Sequence, residues 1–129
     1  MLRTALPLLL LFSVAALAAD LTGDYAGTYT TGQGTENKVH LTLKKNPDAT
    51  WGCQFTFTTE GGDVAPKTIS CAVNDNKLSA EYEADVEGST IHVTTDATAS
   101  GGVLEGTYTA KDSGGEPVDQ GTWKVSLKT

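Results

Sequence analysis

The sequence predicts an all-β chain, an eight-stranded antiparallel up-and-down β-barrel, with a β-sandwich as the alternative. Three observations lead there. From residue 20 onward apolar and polar residues alternate along threonine-rich runs, and no window carries a helical period. Short turn-forming segments separate the runs, so each strand pairs antiparallel with the next. A meander of eight strands leaves two open edges unless it curls and pairs its first strand with its last. A Greek-key sandwich needs a long connection, and the sequence offers none.

The chain opens MLRTALPLLLLFSVAALAAD: one basic residue, Arg3, then an apolar run from Ala5 to Leu17 that overlaps the small-residue stretch Ala15 to Ala19. This is the pattern of a secretory signal peptide cut after Ala18 or Ala19. Residues 1–19 are assigned to it and residues 20–129 to a single domain. The apolar run is short for a bilayer crossing, so a secreted or periplasmic protein with no membrane attachment after signal removal is expected. The full chain has a net charge of −7, and losing Arg3 with no acid takes it to −8. Such a charge repels phosphate backbones and anionic lipid, which argues against nucleic acid and leaves a basic protein partner open.

The strands fall at 24–31, 36–45, 50–60, 66–73, 77–86, 89–98, 103–111 and 120–128. In the first, Tyr25, Gly27 and Tyr29 share one face. In the second, Val39, Leu41 and Leu43 alternate with Lys38, His40, Thr42 and Lys44. The third and fourth form a hairpin centred on Gly62, in which Cys53 faces Cys71, Trp51 faces Val73 and Phe55 faces Ile69. Direct cross-strand neighbours are close enough to be bridged, so a structural disulfide Cys53–Cys71 is expected in an oxidising compartment. The fifth strand alternates Leu78, Ala80, Tyr82, Ala84 and Val86 with polar residues, and the sixth places Ile91 and Val93 inward. The seventh and eighth repeat a pattern met in the first: Gly27-Thr28-Tyr29, Gly106-Thr107-Tyr108 and Gly121-Thr122-Trp123. Glycine and aromatic, two apart, lie on one face. A closed meander makes these three strands neighbours, so the repeat marks the seam where the barrel closes.

Little points to a reaction. His40 and His92 fall on polar faces, and no serine sits in a G-x-S-x-G elbow or an S-x-x-K. Glu81, Glu83 and Asp85 form a carboxylate row on an outer face, read as solvated, and Asn74-Asp75-Asn76 reads as a turn. No catalysis, metal site or cofactor is expected. The remaining candidate is the interior, where Tyr29, Trp51, Phe55, Tyr82, Tyr108 and Trp123 stand beside small residues such as Ala84, Ala110 and Gly121. An eight-stranded barrel is either filled by its side chains or holds one small ligand, and both readings stay open. The expected function is binding of a small apolar or amphipathic ligand near those six aromatics. The alternative is a protein interaction module or an inhibitor of a basic enzyme, acting through the acidic face or the 61–66 and 112–119 loops.

Leu21-Thr22-Gly23-Asp24-Tyr25 resembles the start of the first strand in the calycins, the lipocalin, fatty-acid-binding and avidin-like barrels, with Gly23-Asp24-Tyr25 in place of their G-x-W. Gly106-Thr107-Tyr108 is similar to a later avidin G-T-Y. The resemblance implies a lipocalin-like barrel. The avidin biotin-binding asparagine would fall at Gly27, so biotin does not carry over.

Overall fold

The computed structural model describes residues 20–128, and the assigned signal peptide lies outside the described residues. Among the described residues are nine strands: β1 (Gly23–Thr30), β2 (Glu36–Lys45), β3 (Trp51–Thr59), β4 (Gly62–Val64), β5 (Lys67–Asn74), β6 (Lys77–Val86), β7 (Ser89–Ser100), β8 (Val103–Lys111) and β9 (Pro117–Leu127). They form one curled antiparallel sheet in the order β4-β3-β2-β1-β9-β8-β7-β6-β5. The expected pairing of first strand with last is present, running from Tyr25↔Leu127 to Thr30↔Thr122.

The sheet departs from the expected eight strands at one place. The expected register of the β3 hairpin puts Phe57 opposite Lys67, but Phe57 pairs with Val64 and the ladder ends after three pairs. Buried Pro66 has no N–H to extend it, so the segment expected at 66–73 becomes β4, a break and then β5. β5 pairs with β6, placing Val73 opposite Leu78, while Trp51 pairs with Lys45 of β2. A bulge between Thr68 and Ser70 shifts the register, and Ile69, expected inside opposite Phe55, is 47% exposed.

The two ends of the sheet nevertheless meet. Cys53 and Cys71 form the expected disulfide with Cα atoms 5.9 Å apart, and the Thr68 hydroxyl donates to the Cys53 carbonyl at 2.6 Å. Side chains thus join β3 to β5 where a backbone ladder was expected.

Three glycines let the opposite wall bend. A Cβ on Gly27 would strike the Lys124 carbonyl and the Val125 Cα; on Gly106, the Asp96 carbonyl and Ala97; on Gly121, the Thr30 carbonyl and the Tyr108 ring. The repeated motif is therefore a packing device: Trp123 pairs with Tyr29 on one side and Gly106 on the other, and Tyr108 pairs with Gly121.

The inward face has two storeys. At the end holding the β2–β3, β5–β6 and β7–β8 turns, Leu43, Leu78, Leu104 and Val125 are completely buried and make an aliphatic floor. Tyr25 rests there too, its hydroxyl donating to the Leu21 carbonyl at 2.8 Å. The aromatic storey lies above, toward the β1–β2, β3–β4, β6–β7 and β8–β9 turns.

Two stability measurements test this account. Replacing both cysteines by alanine should lower the unfolding free energy by about 3 kcal/mol, the chain-entropy value for a loop of this length, in urea titrations. Gly106→Ala should cost about 3 kcal/mol through the backbone collision, whereas Gly52→Ala, whose new Cβ would meet only the Lys44 carbonyl at 3.8 Å, should stay within about 1 kcal/mol of wild type.

Candidate functional site

Above the floor the curled sheet encloses an open-mouthed cavity of about 390 Å³. Its walls are the rings of Tyr29, Phe55, Phe57, Tyr82, Tyr108 and Trp123. Each arrives by the two-residue period of its strand, which points alternate side chains to one face. Ala84 and Ala110 line the same space, and their small side chains leave it unfilled.

The rings hold one another in edge-on and tilted packing. Tyr29 meets Phe57 at 5.9 Å and 85°, and Tyr108 at 6.1 Å and 80°. Phe55 lies edge-on to Trp123 at 5.8 Å and tilted against Tyr82 at 5.0 Å. Such contacts suit the ring quadrupole and hold the walls in place.

Polar atoms in this wall are mostly satisfied. Trp123 Nε1–H donates to Thr95 Oγ1 at 2.7 Å, and the Thr95 hydroxyl donates to the Thr107 carbonyl at 2.6 Å. Thr95, only 4% exposed, is the one buried polar residue among the described residues, and it anchors the indole from behind. Tyr29 donates to the Thr58 carbonyl at 2.8 Å. Tyr108 donates to Asp119 Oδ2 at 2.6 Å, and Asp119 Oδ1 accepts the Gly32 N–H at 2.9 Å, tying β8, β9 and the β1–β2 turn together at the mouth. Tyr82 differs: its hydroxyl has no hydrogen-bond partner among the described residues, although the residue is 9% exposed.

Burial raises the pKa of all four tyrosines, most strongly at Tyr82 and Tyr108. At Tyr108 the hydrogen bond to Asp119 and its negative charge add to the effect. At Tyr29 the neighbouring Asn37 side chain works the other way without reversing it.

Five of the six aromatic candidates, Tyr29, Phe55, Tyr82, Tyr108 and Trp123, converge on the cavity. Trp51 does not line it. It begins β3 at the floor end, where Lys45 Nζ lies 6.0 Å from its ring centroid. Two residues that matter at the site, Asp119 and Thr95, escaped the sequence reading. Counting back by twos from Trp123 through Gly121 reaches Asp119, an acid at an inward position, and that was the available signal. Thr95 is one threonine among many, and nothing in the pattern distinguishes it.

A second, more polar recess of about 560 Å³ adjoins the cavity and shares Tyr29, Thr31, Thr59, Val118 and Asp119 with it, forming a vestibule. On the outer face the carboxylate row has a partner after all: His92 Nε2 lies 3.0 Å from Glu81 and Nδ1 lies 3.8 Å from Glu83. All three are half-exposed. Among the described residues no group of three or more histidines, cysteines and acids is placed to hold a metal ion. No protein-family model matches the chain, and no curated protein matches it.

Two outcomes are expected. Because the folded state holds the tyrosine protons more tightly than the unfolded state, stability is complete below the ordinary tyrosine value of 10.0 and falls as pH climbs above it. Tyrosinate absorbance should therefore stay low through that range and rise together with loss of the circular-dichroism signal. Thr95→Val leaves the buried indole N–H without an acceptor and should cost about 2 kcal/mol in equilibrium denaturation.

Proposed function

We propose that this chain is an exported binding protein that holds one small apolar or amphipathic molecule inside a lipocalin-like barrel whose wall the Cys53–Cys71 bridge completes. The observation that carries this reading is the unfilled, aromatic-walled cavity of about 390 Å³ above a solid aliphatic floor. A site of this size lies within the range of roughly 300–1,000 Å³ typical of small-molecule pockets, which are mostly apolar with a few placed polar groups. The floor closes one end of the cavity, and the vestibule adjoins it at the other. Export is supported by the disulfide, a bond that persists in oxidising compartments, and by the composition of residues 1–19.

Titration with the neutral fluorescent probe N-phenylnaphthylamine tests the reading. The wild-type domain should bind it saturably, one per chain. Ala110→Trp, which fills the cavity, should weaken binding by about tenfold or more, a loss of 1.4 kcal/mol or greater. Trp51→Phe, away from the cavity, should leave it unchanged. Absence of saturable binding to the wild type, or equal binding by Ala110→Trp, would overturn the proposal.

A further inference from the structure

The chemistry of the mouth narrows the ligand class. Among the described residues three acids, Glu60, Glu87 and Asp119, line the cavity and its vestibule, and no lysine, arginine or histidine does. A carboxylate or phosphate ligand entering here would meet like charge with no compensating cation, a costly arrangement in a partly dry site.

Acids alone would not define a site, but Tyr82 supplies an independent observation. The residue is buried in the cavity wall and its hydroxyl has no hydrogen-bond partner among the described residues, although an unmet hydroxyl at such a site is unfavourable. Tyr82 and Asp119 stand on one rung of the sheet: Tyr82 pairs with Val93, Val93 with Ala110, and Ala110 with Asp119. All four line the cavity, so a hydroxyl and a carboxylate face the same space from the two ends of a short apolar span. Asp119 already accepts from Tyr108 and Gly32, but two carboxylate oxygens offer about four acceptor sites, so capacity remains for a donor from the ligand. The rings of Tyr29 and Tyr108, edge-on to each other beside that carboxylate, add the negative faces that attract an organic cation.

We infer that the cavity selects a cationic amphiphile, an organic amine with an apolar body, whose ammonium group binds Asp119 at the mouth and whose body lies against Val93 and Ala110 toward Tyr82. The inference rests on the binding function proposed above. The Tyr82 hydroxyl serves a hydroxyl, ether or second amine on that body. Ligand charge is the main selector, because the mouth offers acceptors and ring faces and no positive group.

The test compares probes that share one apolar body and differ in charge: naphthylmethylamine, naphthylmethanol and naphthoate, each competing with N-phenylnaphthylamine at neutral pH. The amine should displace the dye about tenfold more effectively than the alcohol, as expected for a charge-assisted hydrogen bond, and naphthoate should displace it least. Asp119→Asn should remove the amine's advantage over the alcohol while the dye still binds. Tyr82→Phe should leave that advantage intact, because the shared naphthyl body carries no group that hydrogen-bonds there. If the dye binds the wild type and the alcohol or naphthoate equals the amine, selection of cations is overturned while the binding function stands. If the dye itself does not bind, the binding function falls, and the cation inference falls with it. The comparison on the wild type decides the matter even where Asp119→Asn unfolds the mouth.

Discussion

The rest of the molecule depends on the close approach of β1, β9, β8 and β7, which only glycine permits. At Gly27, Gly106 and Gly121 a side chain would occupy the space of a neighbouring strand's backbone or of the Tyr108 ring. Without side chains there, the wall can bend sharply, and the aromatic two residues further along each strand swings into the interior. The same curl carries β3 and β5, distant in the strand order, to disulfide distance. The cost is chain entropy, since glycine loses more freedom on folding than any other residue. The β1–β9 ladder and the Cys53–Cys71 cross-link offset it at different points on the wall.

This geometry divides the interior by chemistry. Leucines and Val125 pack the floor completely, whereas rigid rings interrupted by alanines line the storey above and cannot collapse into the space between them. Aromatics are inflexible and held edge-on by one another, and Trp123 is further fixed through Thr95 to the β8 backbone. Stiff walls around small residues keep a cavity open in a way that flexible aliphatic side chains would not. Acceptors at its mouth and an unmatched tyrosine hydroxyl in its wall then give an apolar space a chemical direction.

Much of the fold was legible in the sequence because period-two alternation survives wherever one face of a sheet is dry. Strands such as Lys77–Val86 lie where the alternation puts them, and the glycine–aromatic repeat falls where the first strand pairs with the last. The disulfide pair was also legible, though through a register that does not form: the sulfurs meet across a junction without a ladder, after Pro66 ends β4 and a bulge at Ile69 resets β5. Proline and bulges act on single residues, so alternation counted over a whole strand passes across them. At the site, five of the six aromatics were legible as inward residues. Trp51 obeys the same alternation but sits at the wrong height along its strand, a coordinate that face periodicity does not encode.

The sequence by itself determined the all-β class, the inward and outward faces, the pairing of first strand with last and the identity of the bonded cysteines. These follow from local alternation, turn chemistry and the short connections. Only the tertiary structure decided that the interior is half filled and half open, that β3 and β5 are joined by side chains, that His92 stands between Glu81 and Glu83, and that Asp119 and Tyr82 share a rung. The physical reason is common to all four. Each depends on how far strands are staggered along one another, and stagger is set by the summed fit of every neighbouring pair around the curl.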